Sequence, residues 1–215
     1  MPPKTKTKLG ANNWIAIVLL AFSGQIAWVI ENAWFNTYVN DVISPNPKVI
    51  SMMVAFSAIT ATLTTLIMGT FSDRLGKRKK IILFSYILWG ISTMVFPLAG
   101  AVKSVSLAIF AVIALDCMMT FFGSTANDAS FNAWLTNITD ETNRGTVSGV
   151  TELFPLLAMV VTTIISGMLI ERVGYTLFFI SMGLTVVVCG LVGGLLMREA
   201  PIPKEKTEQT GFWKQ

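Results

Sequence analysis

Residues 69–76 read Gly-Thr-Phe-Ser-Asp-Arg-Leu-Gly, and residues 167–174 read Gly-Met-Leu-Ile-Glu-Arg-Val-Gly. The two stretches share the pattern Gly-x-x-x-acid-Arg-x-Gly, lie 98 positions apart, and each follows a long apolar run. A second pair lies 96 positions apart: residues 31–36 read Glu-Asn-Ala-Trp-Phe-Asn and residues 127–132 read Asn-Asp-Ala-Ser-Phe-Asn. Similarity at a fixed spacing indicates an internal repeat. We therefore interpret the chain as two copies of one unit of roughly 100 residues.

Six apolar runs surround these motifs. Each is long enough to cross a bilayer as a helix, since about 20 helical residues span the hydrocarbon core and a helix pairs its own backbone groups. Only Glu31, Asp116 and Glu152 interrupt them with a charge. We predict an all-α integral membrane protein with six transmembrane helices, formed by residues 14–39, 50–71, 81–102, 104–127, 147–170 and 173–197.

The composition supports a membrane protein and excludes several chemistries. Apolar residues make up 53% of the 215 positions and charged residues 13%, against about 25% charged in soluble domains. The chain has no histidine, and Cys117 and Cys189 both lie in apolar runs, so neither His chemistry nor a disulfide framework is expected. No phosphate-binding loop, metal-ligand spacing or nucleophile–base pair is evident. We predict no enzyme activity, catalytic residue, cofactor, metal site or nucleic-acid partner.

The basic residues define an orientation. With six spans both termini lie on one side, and that side would carry 13 of the 16 lysines and arginines. The other side would carry only Lys48, Lys103 and Arg172. Because basic residues accumulate in cytoplasmic loops, we predict a multi-pass protein of the cell (plasma or inner) membrane with both termini in the cytoplasm.

The repeat and the orientation together predict the domain plan. Three spans is an odd number, so the second unit must be inverted relative to the first, as in each half of a major facilitator transporter. We assign a basic N-terminus to residues 1–13, the first three-helix unit to 14–103 and the second, inverted unit to 104–197. Residues 198–215 are assigned to a cytoplasmic tail or the start of an interdomain linker.

Two stretches carry a resemblance to a known family. Residues 69–79 resemble the loop between helices 2 and 3 of the major facilitator superfamily. Residues 128–140, followed by Arg144, resemble the helix-4 region of its glycoside–pentoside–hexuronide cation symporters. The resemblance implies the N-terminal six-helix half of a twelve-helix transporter. The chain departs from that branch in helix 2, where Ala61 and Thr65 replace two cation-binding aspartates.

The resemblance also implies a gating motif on the cytoplasmic side. In the family, an aspartate and an arginine at this position form a latch that breaks as the transporter changes access. The simpler alternative is that the basic residues only anchor this loop on the cytoplasmic side. We expect both roles: the lysines that follow anchor the loop, and the aspartate and arginine form the latch. The predicted gating residues are Gly69, Asp73, Arg74, Gly76, Lys77 and Arg78.

Carboxylates and amides at membrane depth mark a candidate cavity. A charge there is costly, and it is a functional candidate by default. Glu31 would take up a proton or contact solute, or else make a buried hydrogen bond to span 4. Asp116 would line the cavity or be satisfied by span 5, and Asp128, which matches a substrate-contacting aspartate of the family, would otherwise form a salt bridge. The predicted substrate or coupling-ion residues are Trp28, Glu31, Asn32, Asn36, Asp116, Asn127, Asp128 and Asn132.

These features predict a secondary active transporter. It would move a small polar solute such as a sugar or glycoside by alternating access, with proton or cation coupling. Its partners would be the lipid bilayer, the solute with its coupling ion, and either a missing C-terminal half or a second copy in a homodimer. The alternatives are a non-transporting six-helix protein, receptor-like or an assembly subunit, and an isolated half that is inactive without a partner.

Overall fold

The computed structural model describes residues 9–75 and 78–199, apart from the side chains of Asp73 and Leu75. Within these ranges, five helices are long and apolar enough to cross a membrane. This confirms an all-α, multi-pass membrane protein. The helices are α1 (Ala11–Ile43), α2 (Pro47–Leu75), α3 (Arg78–Val95), α4 (Val105–Ile138) and α5 (Arg144–Leu196), and a 3₁₀ segment, Phe96–Ala101, extends α3.

The helix ends follow from the local sequence. α2 starts with Pro47, whose fixed φ suits the first helical turn and whose missing N–H is not needed there. The turn before α5 is organised by Asp140, whose carboxylate accepts the backbone N–H groups of Thr142 and Asn143 at 2.8 and 3.2 Å. An aspartate that binds the backbone two residues ahead stabilises such a turn. α4 and α5 are therefore joined by a short turn, residues 139–143.

Two of the helices contain π-helical turns. In α1 these cover Ile30–Phe35 and Val39–Ile43, and in α4 they cover Ser124–Phe131. A π-helical turn leaves one backbone carbonyl without its usual partner and is frequent at functional sites. Both Ile30–Phe35 and Ser124–Phe131 overlap the repeated segments 31–36 and 127–132.

Helix α5 is much longer than a bilayer requires. Its 53 residues would extend about 80 Å at 1.5 Å per residue, against a hydrocarbon core of about 30 Å. Gly174 interrupts the helical backbone with φ 75° and ψ 172°, a conformation that glycine adopts without steric cost. The break lies directly after Arg172 and Val173, where the sequence predicts the end of one span and the start of another.

The helices pack in the order α1, α5, α3, α4, α2. Helix α5 contacts α1 and α3, and α4 contacts α3 and α2. The α3–α5 seam depends on small residues, because a Cβ added to Gly90 would lie 2.5 Å from the backbone oxygen of Gly183. Close backbone approach of this kind is the usual way helices associate in lipid.

Large aromatic side chains fill one end of this core. Phe35 of α1 stacks on Phe96 with ring centroids 3.4 Å apart. The Tyr38 hydroxyl donates to the Pro97 carbonyl at 2.8 Å, and the Tyr175 hydroxyl donates to Asp41 at 2.6 Å. These contacts join the ends of α1 and α3 to the residues just after the Gly174 break.

Candidate functional site

A partly open cavity of about 160 Å³ lies between α1, α2 and α4. It contains five of the eight residues predicted for a cavity: Trp28, Glu31, Asn32, Asn36 and Asp116. Its remaining lining residues come from α2 and α4: Met53, Val54, Ser57, Ala58, Ala61 and Thr120. The cavity therefore combines one indole, amides, hydroxyls and two carboxyl groups against an apolar wall.

Glu31 is held by hydroxyl groups of two other helices. Its Oε1 accepts hydrogen bonds from Ser57 Oγ at 2.9 Å and from Thr120 Oγ1 at 2.7 Å. The same two hydroxyls lie 2.5 Å apart, and Thr120 Oγ1 also lies 2.9 Å from the Asp116 carbonyl. Glu31 therefore makes the hydrogen bond to span 4 that the sequence analysis gave as the alternative, and it makes a second one to α2. It also lines the cavity, so the two interpretations of Glu31 are compatible.

The carboxyl groups of Glu31 and Asp116 are both buried at the same cavity. Glu31 is 7% exposed and Asp116 is 2% exposed. One oxygen of each, Glu31 Oε2 and Asp116 Oδ1, is buried without a hydrogen-bond partner. A buried oxygen without a hydrogen-bond partner destabilises the fold in a low-dielectric interior. These two oxygens are therefore able to accept a hydrogen bond from a solute or to bind a cation.

The amides Asn32 and Asn36 lie within and directly after the π-helical turn Ile30–Phe35 of α1. Asn32 donates from Nδ2 to the Trp28 carbonyl at 2.8 Å, and Asn36 donates to the Asn32 carbonyl at 2.7 Å. The carbonyl oxygen of the Asn36 side chain remains buried without a partner. Trp28 packs edge-on against Trp89 with ring centroids 5.2 Å apart. The amide donors therefore bond the backbone of their own helix, while the Asn36 Oδ1 atom retains accepting capacity.

The other three predicted cavity residues lie outside the cavity. Asn127 is buried and donates to Asp128 Oδ1 at 3.2 Å, whereas Asn132 is exposed and bonds the Asp128 carbonyl at 3.3 Å. Asp128 is half-buried and acts on Glu31 through its charge. The alternative for Asp128 was a salt bridge. Among the described residues, its hydrogen-bond partner is the side-chain amide of Asn127.

The predicted gating motif is described only in part. Gly76 and Lys77 lie outside the described residues, as does the side chain of Asp73. Arg74 is exposed, and a Cβ at Gly69 would meet open space, so none of the described helices packs closely against Gly69. Arg78 donates from Nη1 to the Ala133 carbonyl of α4 at 3.1 Å, which links the start of α3 to α4.

The basic residues after this motif also bind a helix terminus. Lys79 Nζ donates to the carbonyls of Leu195 and Met197 at 2.7 and 3.0 Å. A lysine at the C-terminal end of a helix satisfies free carbonyls and complements the helix dipole. Trp134 reaches the same region through a bond from Nε1 to the Arg198 carbonyl at 3.1 Å. These contacts fix the end of α5 against α3 and α4.

Sequence reasoning missed Ser57 and Thr120, the two hydroxyl partners of Glu31. Hydroxyl residues are scattered through all the apolar runs, and most of them bond the carbonyl four residues earlier, as Thr60 and Thr136 do. Nothing in the sequence separates the hydroxyls that reach across helices from those that do not. Only the Glu31 carboxylate itself could be identified from its position.

The family is shown by comparison with known proteins. The family model for the Major Facilitator Superfamily matches residues 11–215, nearly the whole chain. The chain belongs to the Major Facilitator Superfamily.

Three curated relatives are similar at low identity. Sugar efflux transporter A of Dickeya chrysanthemi is 24% identical over 197 residues, which cover 91% of this chain and 48% of the relative. Sugar efflux transporter B of Salmonella typhimurium is 24% identical over 179 residues, which cover 82% of this chain and 44% of the relative. Sugar efflux transporter C of Escherichia coli K12 (26% over 199 residues) covers 90% and 48%. The chain spans about half the length of the curated relatives it matches.

Proposed function

We propose that this chain is the N-terminal half of a secondary active transporter that moves a small polar solute by alternating access, with proton or cation coupling. The observation that carries the proposal is the cavity at membrane depth, in which Glu31 meets hydroxyls of α2 and α4 beside Asp116. A polar site among apolar helices costs stability. A protein without transport activity gains nothing from a polar site that lowers its stability. This argues against a receptor-like or assembly subunit.

The proposed topology has six spans in a 3+3 inverted repeat. The α5 helix is too long for a single span, and its break at Gly174 divides it into two segments of spanning length. We assign these segments to spans 5 and 6. With both termini cytoplasmic, the basic residues of the α2–α3 connection lie on the cytoplasmic side of the cell membrane.

The packing of α1 against α4 supports the inverted repeat. Glu31 contacts Thr120, and an inverted repeat with a spacing of 96 would relate this pair to Asn127 and Gly24. A Cβ placed on Gly24 would lie 3.0 Å from the Asn127 Oδ1 atom. The contact between Glu31 and Thr120 thus corresponds to the contact between Asn127 and Gly24. Such a correspondence is expected when two inverted copies pack across a pseudo-two-fold axis.

The proposed solute class is a sugar or glycoside. Amide groups can fix the orientation of hydroxyl-bearing solutes, and the indole of Trp28 offers a flat apolar surface of the kind that sugar rings stack on. The names of the curated relatives point to the same solute class. Whether transport is symport, as the resemblance to the glycoside–pentoside–hexuronide branch implies, is part of the proposal.

The complete transporter requires a second half. A Cβ at Gly69 or at Gly167 would meet open space, and most of α2 and of the first half of α5 is exposed except for a narrow buried stripe. These helices are where a C-terminal half, or a second copy of the chain, would pack. The relatives of about twice this length favour the first of these partners.

Transport in proteoliposomes tests the proposal. Exchange of labelled mono- and disaccharides would be measured for the wild-type chain, for Glu31→Gln and for Glu152→Gln, each reconstituted alone and together with a C-terminal half. The last is a matched control, because Glu152 is an exposed acid within α5. Loss of a charged hydrogen-bond acceptor costs about 1.5–3 kcal/mol, so we expect Glu31→Gln to reduce exchange at least about tenfold and Glu152→Gln to leave it unchanged.

The contrary results are equally clear. Equal exchange by wild-type and Glu31→Gln proteins would refute the role of the cavity. If the wild-type chain is inactive with every sugar but regains flux when a C-terminal half is co-reconstituted, it is an isolated half. An assembled pair that still shows no flux would support the non-transporting alternative.

A further inference from the structure

The two carboxyl oxygens of Glu31 differ in what they bond. Oε1 accepts hydrogen bonds from Ser57 Oγ at 2.9 Å and from Thr120 Oγ1 at 2.7 Å. Oε2 is buried and has no hydrogen-bond partner among the described residues. Because a carboxyl oxygen accepts about two hydrogen bonds, the protein itself fills Oε1 and leaves Oε2 empty. Oε2 is therefore the atom of Glu31 that is left for a solute in the cavity.

Two hydroxyls of different helices hold this carboxyl group. Ser57 belongs to α2 and Thr120 to α4, and their oxygens lie 2.5 Å apart. Each hydroxyl has a single hydrogen, so once both hydrogens are directed at Oε1, neither hydroxyl has one to donate to a solute. Two bonds that converge on one oxygen restrict the rotation of the carboxyl group, and this restriction sets the direction of Oε2.

The bond from Thr120 to Glu31 is not needed to satisfy the Thr120 hydroxyl. The exposed hydroxyls of Thr62 and Thr136 each donate to the carbonyl four residues earlier in their own helix, at 2.9 Å, and a hydroxyl bonded in this way needs no partner elsewhere. Thr120 Oγ1 also lies 2.9 Å from such a carbonyl. It nevertheless reaches Glu31 across the boundary between two helices, so the contact serves the carboxyl group and not the hydroxyl.

The bonds of Glu31 also cross the cavity. Helix α1 packs on α5 and α2 packs on α4, so α1 and α2 stand at opposite ends of the packing order. The two hydroxyls join α1 to α2 and α4 at the cavity lining. Hydrogen bonds between helices in lipid add little to stability. What this arrangement changes is the orientation of the carboxyl group at the cavity.

We infer that Ser57 and Thr120 are positioning residues of the solute site: they hold Glu31 by Oε1 so that Oε2 accepts a hydrogen bond from a hydroxyl group of the solute. This inference rests on the proposed transport function. A group that is held in its binding orientation loses less freedom when the solute binds, which raises affinity. The two hydroxyls therefore set the affinity for the solute through Glu31, without donating to the solute themselves.

The concentration dependence of sugar exchange tests this role. The chain and a C-terminal half are reconstituted together, and exchange is measured with the labelled mono- or disaccharide that the wild-type pair exchanges fastest. Ser57→Ala and Thr120→Val should raise the half-saturating sugar concentration about three- to tenfold, the effect of losing one hydrogen bond. A merely structural role would lower the amount of folded protein and the maximal rate, and would leave the half-saturating concentration unchanged.

Conservative and control variants accompany these two. Thr120→Ser and Ser57→Thr keep the hydroxyl group and should keep the half-saturating concentration close to the wild-type value. Thr62→Val in α2 and Thr136→Val in α4 remove exposed hydroxyls that bond their own helix, and both should behave as wild type. Wild-type half-saturation in Ser57→Ala and in Thr120→Val would overturn the positioning role.

A variant without the carboxyl group separates positioning from direct contact. In a Glu31→Ala background the hydroxyls have nothing to orient, so adding Thr120→Val should raise the half-saturating concentration no further. If Thr120→Val weakens binding as much in this background as in the wild-type chain, the hydroxyl contacts the solute directly and the inference is wrong.

Thermal unfolding of the same four proteins in detergent needs no solute. Because residues in contact have non-additive effects on stability, Glu31→Ala and Thr120→Val should destabilise the chain together by less than the sum of their separate effects. Such non-additivity combined with no exchange of any sugar, even with a C-terminal half present, would overturn the proposed function and the positioning role and leave only a structural bridge. Normal exchange with unchanged half-saturation in the hydroxyl variants would overturn the positioning role alone.

Discussion

The π-helical segments of α1 and α4 have the same backbone form but different chemistry. Ile30–Phe35 presents Glu31 to hydroxyls of two other helices, whereas Ser124–Phe131 presents Asn127 and Asp128, whose side chains bond each other. In the proposed repeat, Glu31 corresponds to Asn127 and Asn32 to Asp128. The comparison teaches that two segments with the same local distortion can differ in whether hydroxyls of other helices bond a buried acid.

Transferring the acid from one segment to the other should have the largest effect. Asn127→Glu would place a carboxyl group beside Asp128 and against the Gly24 backbone, where no hydroxyl pair like Ser57 and Thr120 bonds the Asn127 side chain. An unpartnered acid at membrane depth costs about 3 kcal/mol. We expect a loss of stability of that size, measured by thermal unfolding in detergent, with Glu31→Gln as the comparison.

Asn127→Gln controls for side-chain length in this experiment. It adds the same methylene without the carboxyl group, so it isolates the effect of the acid. Should Asn127→Glu unfold at the same temperature as Asn127→Gln, the two π-helical segments would be equivalent environments, and the contrast between them would not hold.

The extent to which the sequence predicts this molecule is clearest at the ends of the spans. The predicted span 104–127 stops well before the end of α4 at Ile138, because several polar residues follow Asn127 in the sequence. The backbone continues as a helix there because polar side chains bond carbonyls four residues earlier, as Asn132 and Thr136 do. Hydropathy measures transfer to lipid, and it does not register this local pairing.

The sequence predicts the charges of the candidate cavity and the amides and indole near Glu31, but not its hydroxyl residues. Glu31 and Asp116 stand out because charges in apolar runs are rare. Their common position at one cavity, and the hydrogen bond from Ser57 to Glu31, depend on how α1, α2 and α4 pack, which no periodicity in one helix specifies. In the same way, the sequence predicts a boundary between residues 170 and 173, but the exact position of the break, Gly174, is known only from the backbone.

Filling the space opposite Asn127 should have an intermediate effect. A Cβ at Gly24 would lie 2.9 Å from the Tyr86 hydroxyl, which is held by its own bond to the Leu20 carbonyl at 2.7 Å. Overpacking of this kind costs about 1–3 kcal/mol. Gly24→Ala should therefore lower the free energy of unfolding, as measured by denaturation in mixed micelles.

Gly69→Ala is the matched control, because a Cβ there meets open space. An alanine in a helix is favoured over glycine by about 1 kcal/mol, so this variant should be neutral or slightly stabilising. Equal destabilisation by the two substitutions would mean that α1 and α4 do not meet at Gly24, and it would remove this support for the inverted repeat.

The smallest expected change in stability is also the sharpest test of the difference between the two segments. Asn32 and Asn132 are both exposed, and each donates only to a carbonyl four residues earlier in its own helix, at 2.8 and 3.3 Å. Alanine at either position loses one such bond and gains helix propensity, so each variant should unfold within about 0.5 kcal/mol of the wild-type protein.

Their effects on transport should differ, because Asn32 lines the cavity and Asn132 does not. If the cavity binds solute, Asn32→Ala should weaken sugar exchange several-fold in proteoliposomes, whereas Asn132→Ala should leave it intact. An equal loss of exchange in both variants would instead mean that Asn132 also contacts the solute, and the cavity would not be the whole binding site. Since stability is matched between the two, any difference in exchange reflects the position of the amide and not damage to the fold.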